Sequence, residues 1–123
     1  MIIIKDTEGK TLHELKIDSL IGADLRRLNL RKANLRSQNF SRSNLEHANF
    51  SDADASGADF SEANLSNTSF KNAILPDADM RGADLERANF ENANISGVKI
   101  NSKTRTFKMR ADGAKGEFNV IYP

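Results

Sequence analysis

The side chains that could do chemistry in this chain are two histidines and a wide scatter of carboxylates and guanidiniums. His13 and His47 are the only imidazoles, and the absence of cysteine removes thiolate nucleophiles, disulfides and Cys-based zinc sites. A metal or hydrolytic site would pair a histidine with a second one or with a Glu-x-x-His spacing. Neither histidine has such company. No Gly-rich phosphate loop, nucleophile elbow or carboxylate dyad is present either. The sequence therefore predicts no catalytic residue, no cofactor and no metal ligand, and the chain is read as a non-enzyme.

Charge position carries more information than charge type. Lys and Arg total 18 against 17 for Asp and Glu, a formal +1, which favours neither a general nucleic-acid binder nor a uniformly acidic decoy. The cations gather first, at Arg26, Arg27, Arg31, Lys32, Arg36 and Arg42. Glu46, Asp52, Asp54, Asp59 and Glu62 follow, with no Lys or Arg from residue 43 to 70. These eleven residues are the candidate interaction surface. Beyond them Lys99, Lys103, Arg105, Lys108, Arg110 and Lys115 make the C-terminal part basic again.

A length of 123 residues predicts one domain. No apolar run reaches the roughly 18 residues of a membrane span, and Met1-Ile2-Ile3-Ile4-Lys5-Asp6 lacks the basic start and long apolar stretch of a secretory signal. The expectation is a cytoplasmic protein. With 38% hydrophobic residues, no Trp and one Tyr, an ordinary core would be marginal, and regular stacking is one way to gain stability from small side chains.

The elements that hold these charges repeat every five residues from Ala23 to Ser102. A large apolar residue recurs at Leu25, Leu30, Leu35, Phe40, Leu45, Phe50 and onward to Ile100, with Ala55 the one small member. Two residues earlier stands a small residue, usually Ala. Asp or Asn lies between the two in 13 of 16 units, the exceptions being Ser69, Ile74 and Lys99. In an extended segment, residues two apart point the same way, so the large and small positions face inward and the Asp or Asn faces out. The two polar residues that follow can turn a corner, which suits Asn and Asp side chains that bond nearby backbone.

A second period of twenty is visible inside the first. Leu25, Leu45, Leu65 and Leu85 form a pure Leu column, and Leu30, Phe50, Phe70 and Phe90 a nearly pure Phe column. Four short sides would then make one square coil. Ala55 predicts slack in the second coil, and Gln38, a long amide at an inward position, predicts distortion of the first unless it swings out.

Units such as Ala23-Asp24-Leu25, Ala48-Asn49-Phe50 and Ala83-Asp84-Leu85 resemble those of the pentapeptide-repeat family. The resemblance implies an all-β, right-handed quadrilateral β-helix of about four coils over residues 23–102. Residues 1–22 are expected as an N-terminal cap, a hairpin turning at Asp6-Thr7-Glu8-Gly9, with a short helix over 11–20 as the alternative. Residues 103–123 are expected as a C-terminal cap hairpin, unless an end pairs with another copy to make a homodimer.

The expected function is a rigid scaffold for protein–protein interaction, with a protein partner and no membrane. The alternative that the resemblance supplies is a DNA-mimic modulator of a type II topoisomerase such as gyrase. The alternating charge and basic first coil argue against it. Nucleic-acid binding through the basic band is a third reading, weakened because the repeat Phe residues point inward, where no base can stack.

Overall fold

A computed structural model describes residues 1–122. The described residues are all-β and contain no helix. Most of the chain runs as four ladders of parallel bridges, each joining residues twenty apart, as in Asp24↔Asn44↔Asn64↔Asp84 and Asn29↔Asn49↔Ser69↔Asn89. The hydrogen bonds run along the stack: the Leu25 N–H donates to the Asn44 carbonyl (2.8 Å) and the Asn44 N–H to the Ala23 carbonyl (2.9 Å).

The corners follow from the polar residues. In each unit the Asp or Asn Oδ1 accepts from the backbone N–H two residues on, for instance Asn39 from Ser41 (2.9 Å) and Asp59 from Ser61 (2.8 Å). The chain then closes a four-residue turn, the Leu28 N–H donating to the Leu25 carbonyl at 3.2 Å. Its third residue has positive φ, 62° at Arg27, while the second does not, which is the type II geometry. Among the described residues, thirteen that are not glycine accept this conformation.

Inside, Leu30, Phe40, Leu45, Phe50, Phe60, Leu65, Phe70, Met80, Leu85 and Phe90 have no exposed surface. Phe rings from opposite sides meet edge to face across the tube, Phe50 and Phe60 at 5.5 Å and Phe60 and Phe70 at 5.6 Å. Along a column they stack, Phe50 on Phe70 at 4.9 Å and Phe40 on Phe60 at 5.3 Å. Two inward polar residues are satisfied by backbone: Ser43 Oγ donates to the Phe40 carbonyl (2.7 Å) and Thr68 Oγ1 to that of Leu45 (2.8 Å).

At the N-terminal end, β1 (Ile2–Lys5) pairs antiparallel with β2 (Thr11–Leu15), and the turn between them is held by Asp6 Oδ1, which accepts from Glu8 and Lys10. The helix alternative over 11–20 does not form. This hairpin lies over one corner of the first coil, where Asn34 N–H donates to the Lys5 carbonyl and Thr7 N–H to that of Lys32. His13 Nε2 donates to the Asn29 carbonyl (2.6 Å) as a second tie. Gln38 swings out into solvent, and its backbone keeps the ladder, so the expected distortion is absent.

The C-terminal expectation needs correction. Residues 103–122 do not fold back as a hairpin; they continue the ladders as a fifth coil, and residue 123 of the expected cap lies outside the described residues. β3 (Lys99–Ile100) pairs in parallel with β4 (Asn119–Val120), and Arg105, Arg110 and Lys115 bridge to Asp84, Asn89 and Asn94. The step from 84 to 105 is one residue longer than the step from 79 to 99. The extra residue is absorbed at the corner after Ile100, where Thr104 Oγ1 donates to the Met80 carbonyl (3.1 Å) and accepts from the Gly82 N–H (3.2 Å). That added residue and the loss of the Ala-Asn-Leu spelling hide the fifth coil in the sequence.

Candidate interaction surface

The sequence-predicted surface residues are all on the outside of the coil, and none lines the tube. Arg26 and Arg27 sit at one corner, Arg31 and Lys32 at the next, Arg36 at the third and Arg42 at the fourth. The cations therefore encircle the first coil as a belt rather than forming one face. The acidic residues encircle the second: Glu46, Asp52 and Glu62 are at corners, while Asp54 and Asp59 lie mid-side.

Adjacent belts touch, though not through the pairs that share a column. The sequence aligns Arg42 with Glu62 and Arg26 with Glu46, and the structure forms neither ion pair. Instead Arg31 Nε lies 3.2 Å from Asp52, and Arg36 Nη1 lies 3.1 Å from Asp54. Arg26 turns back onto Asp24 in its own unit, at 2.9 Å. Long guanidiniums reach one or two positions sideways, which a column argument on Cα positions misses. Such exposed pairs contribute roughly 0–1 kcal/mol each. Arg27, Lys32 and Arg42 make no ion pair among the described residues.

Three carboxylates on the outside of the coil are tuned by their surroundings. Burial pushes Asp54 up, but the Ser56 hydroxyl (2.6 Å) and N–H together with Arg36 outweigh it and hold the carboxyl below its ordinary value. Asp79 follows the same balance: partial burial opposes the hydrogen bonds and charge of Arg81, whose Nη2 donates at 2.7 Å, and the net shift is downward. Asp24 is lowered mainly by the Arg26 guanidinium.

The concavities are open surface grooves. One is lined by Asp24, Arg26, Arg27, Glu46 and His47. Another is lined by Asp59, Glu62, Asp79, Arg81 and Lys103 beside the lengthened corner. His47 is a corner residue near Glu46 at 3.8 Å, with no second imidazole beside it. Among the described residues no group of three or more His, Cys, Asp or Glu side chains is arranged to hold a metal ion, and no helix is long and apolar enough to cross a membrane.

A profile of the pentapeptide repeat region matches residues 15–101, most of the chain. The chain belongs to the pentapeptide repeat family. Among solved structures it is similar to a pentapeptide repeat protein from the thylakoid lumen of Arabidopsis thaliana, at 31% identity and a TM-score of 0.77, over 78% of this chain and 66% of that one. The chain thus spans just under two thirds of that relative's length. It is also similar to a pentapeptide repeat protein from Nostoc PCC 7120, at 27% identity and a TM-score of 0.56, over 75% of this chain and 86% of that one. No curated protein matches the sequence significantly. The β-helix solenoid common to these proteins agrees with the four parallel ladders.

Sequence reasoning missed one group of surface residues. Phe107, Val120 and Tyr122 are exposed on the fifth coil, at 59%, 47% and 83%. Their alternation reads as hairpin strands, and only the ladder register shows that they decorate a coil edge.

Proposed function

We propose that this pentapeptide repeat protein, wound as a right-handed quadrilateral β-helix, is a non-catalytic rigid scaffold that presents its surface to a protein partner. One observation carries the reading: the tube is filled by stacked Phe and Leu side chains, so its chemistry is confined to flat sides and charged corners. Small-molecule sites are concave and largely apolar, and the grooves here are polar and open to solvent. Backbone hydrogen bonds on every side hold the corner residues at fixed spacing, which lowers the ordering cost of docking.

The gyrase-modulator alternative requires a continuous acidic surface. The belt of Arg26, Arg27, Arg31, Lys32, Arg36 and Arg42 interrupts it. In-cell cross-linking through residues placed at corners 27, 42 and 62 tests the scaffold reading, which expects discrete protein adducts. Absence of any adduct at all three corners overturns it. A supercoiling assay with purified protein at micromolar concentration, if it showed strong inhibition of gyrase, would replace this reading with the alternative.

A further inference from the structure

Among the described residues, the fifth coil differs from the other four in having nothing stacked on its outer edge. In every earlier coil the N–H groups corresponding to Thr106, Lys108 and Ala111 donate to the next coil, as Leu85 N–H does to the Arg105 carbonyl (2.7 Å) and Arg87 N–H to that of Phe107 (2.9 Å). In the fifth coil the N–H groups of Thr106, Lys108 and Ala111, and the carbonyls of Thr104 and Met109, have no backbone partner among the described residues. Such an edge is a template for another strand-like segment.

The side chains around this edge state what that segment must look like. Lys103, Arg105, Lys108 and Arg110 lie within eight residues, with no acid until Asp112. Arg105 and Arg110 are partly engaged by Glu86 and Glu91 at 3.7 and 3.9 Å, while Lys103 and Lys108 make no ion pair among the described residues. Phe107 is exposed between them, with the Lys108 ammonium 5.4 Å from its ring centre. Met109 and Phe118 are half-buried over the tube mouth, Phe118 edge-on to Phe90 at 6.0 Å. The surface therefore has an apolar centre, unpaired backbone groups and a row of cations.

A second copy of the chain suits this edge badly. Joining two fifth coils edge to edge sets one cation row against the other, and like charges opposed across a strand pair are destabilising. Lysine on an exposed edge is a common guard against self-pairing. The same row attracts a segment of opposite charge, so attraction and rejection both select the partner.

We propose that the edge formed by residues 104–111 of the fifth coil, two short sides meeting at the Phe107–Lys108 corner, binds an acidic segment of another protein, with alternating apolar residues, that stacks on it as a further turn of the coil. This rests on the scaffold reading and names one of its surfaces. Main-chain bonds to Thr106 and Lys108 would supply affinity, the apolar side chains would cover Phe107 and Met109, and the acidic ones would face Lys103 and Lys108.

The test uses the full chain and a labelled twelve-residue peptide of alternating Glu and Val, followed by fluorescence anisotropy. Saturable binding is expected, with none for the Lys–Val counterpart. Lys103→Gln with Lys108→Gln should weaken binding about tenfold. Thr106→Pro, which removes an outward N–H without changing charge, should also weaken it, and both variants should melt as the parent does. The proposal is overturned if the Glu–Val peptide fails to bind, or binds both folded variants undiminished. It is also overturned if a twelve-residue oligothymidylate binds as tightly, which would assign the edge to polyanions in general, or if the chain sediments as a dimer joined through this edge. Loss of peptide binding with corner cross-links intact removes this edge alone and leaves the scaffold; loss of the corner cross-links removes the scaffold.

Discussion

The side chain of Ile74 carries no oxygen to accept a hydrogen bond, and Pro76, two residues on, has no N–H to give one. Every other unit from Asp24 to Asn94 makes that i to i+2 contact, as Asp54 does with Ser56 (3.1 Å) and Asn94 with Ser96 (3.1 Å). Donor and acceptor are missing together, so no group at this corner is left wanting. The bridge between Asp54 and Ile74 still forms, and Pro76 still accepts from the Gly57 N–H at 2.9 Å.

The first prediction follows from that pairing. Ile74→Asn alone should gain little, because Pro76 cannot donate to the new amide. Combined with Pro76→Ser, it should recover a contact of about 0.5–1.5 kcal/mol. A double-mutant cycle by urea denaturation measures the coupling. Zero coupling would mean that the side-chain contact is incidental to the corner.

The repeat, its period of twenty and the inward columns were legible because each rests on residue type at fixed spacing. Leu25, Leu45, Leu65 and Leu85 align in sequence and lie in successive units of one ladder in the structure. Gln38 and the fifth coil were not legible, for different reasons. Gln38 projects outward while its backbone stays in register, a rotamer outcome that no spacing shows. The fifth coil moves its large residues to Met109 and Phe118, the position that Ala holds elsewhere, and adds a residue near Thr104. The candidate surface was legible as charge bands along the chain, but not its pairing, since Arg31 and Arg36 reach across to positions 52 and 54.

Ala55 illustrates how packing across the tube revises a column argument. Read down its own column, beside Leu35 and Leu75, Ala55 predicts slack. The structure sets two Phe rings in that same coil, Phe50 and Phe60, meeting across the tube at 5.5 Å, and Ala55 is fully buried beside them. With two rings in this coil, the second is expected to fill part of the volume that the alanine gives up. Ala55→Leu should therefore destabilise the fold by about 1–3 kcal/mol through overpacking. An unchanged or raised melting temperature would restore the slack interpretation.

Acid should weaken the fold through Asp54 and Asp79. Both carboxyls titrate below their ordinary value of 3.8 in the folded chain and regain it on unfolding. Between those values the unfolded state binds more protons, so their contribution is complete above the ordinary value and disappears as pH falls through the folded one. Asp79→Asn removes one of these groups while keeping an oxygen for the Arg81 N–H. Its melting temperature should decline less steeply than that of the parent below pH of about 4. Parallel profiles down to strong acid would show that the Arg81 pair has no net effect on stability.

The corner residues supply a paired test of backbone strain. His47 holds φ at 61°, a region that costs a side-chain-bearing residue about 1–2 kcal/mol. Glycine removes that cost but loses roughly 0.5–1 kcal/mol through its freer unfolded chain. His47→Gly should thus be neutral or stabilising by up to about 1 kcal/mol, even though it deletes an imidazole from the surface. Gly97 has φ of 71°, and a Cβ there would press on the Asp77 carboxylate lying over it from the preceding coil. Gly97→Ala should therefore cost at least about 1 kcal/mol, strain and crowding acting together. Chemical denaturation of the two variants separates the contributions. If His47→Gly fell as far as Gly97→Ala, the imidazole itself would be holding the corner, and its contact with Glu46 would have to be stronger than a pair at 3.8 Å on an open surface can supply.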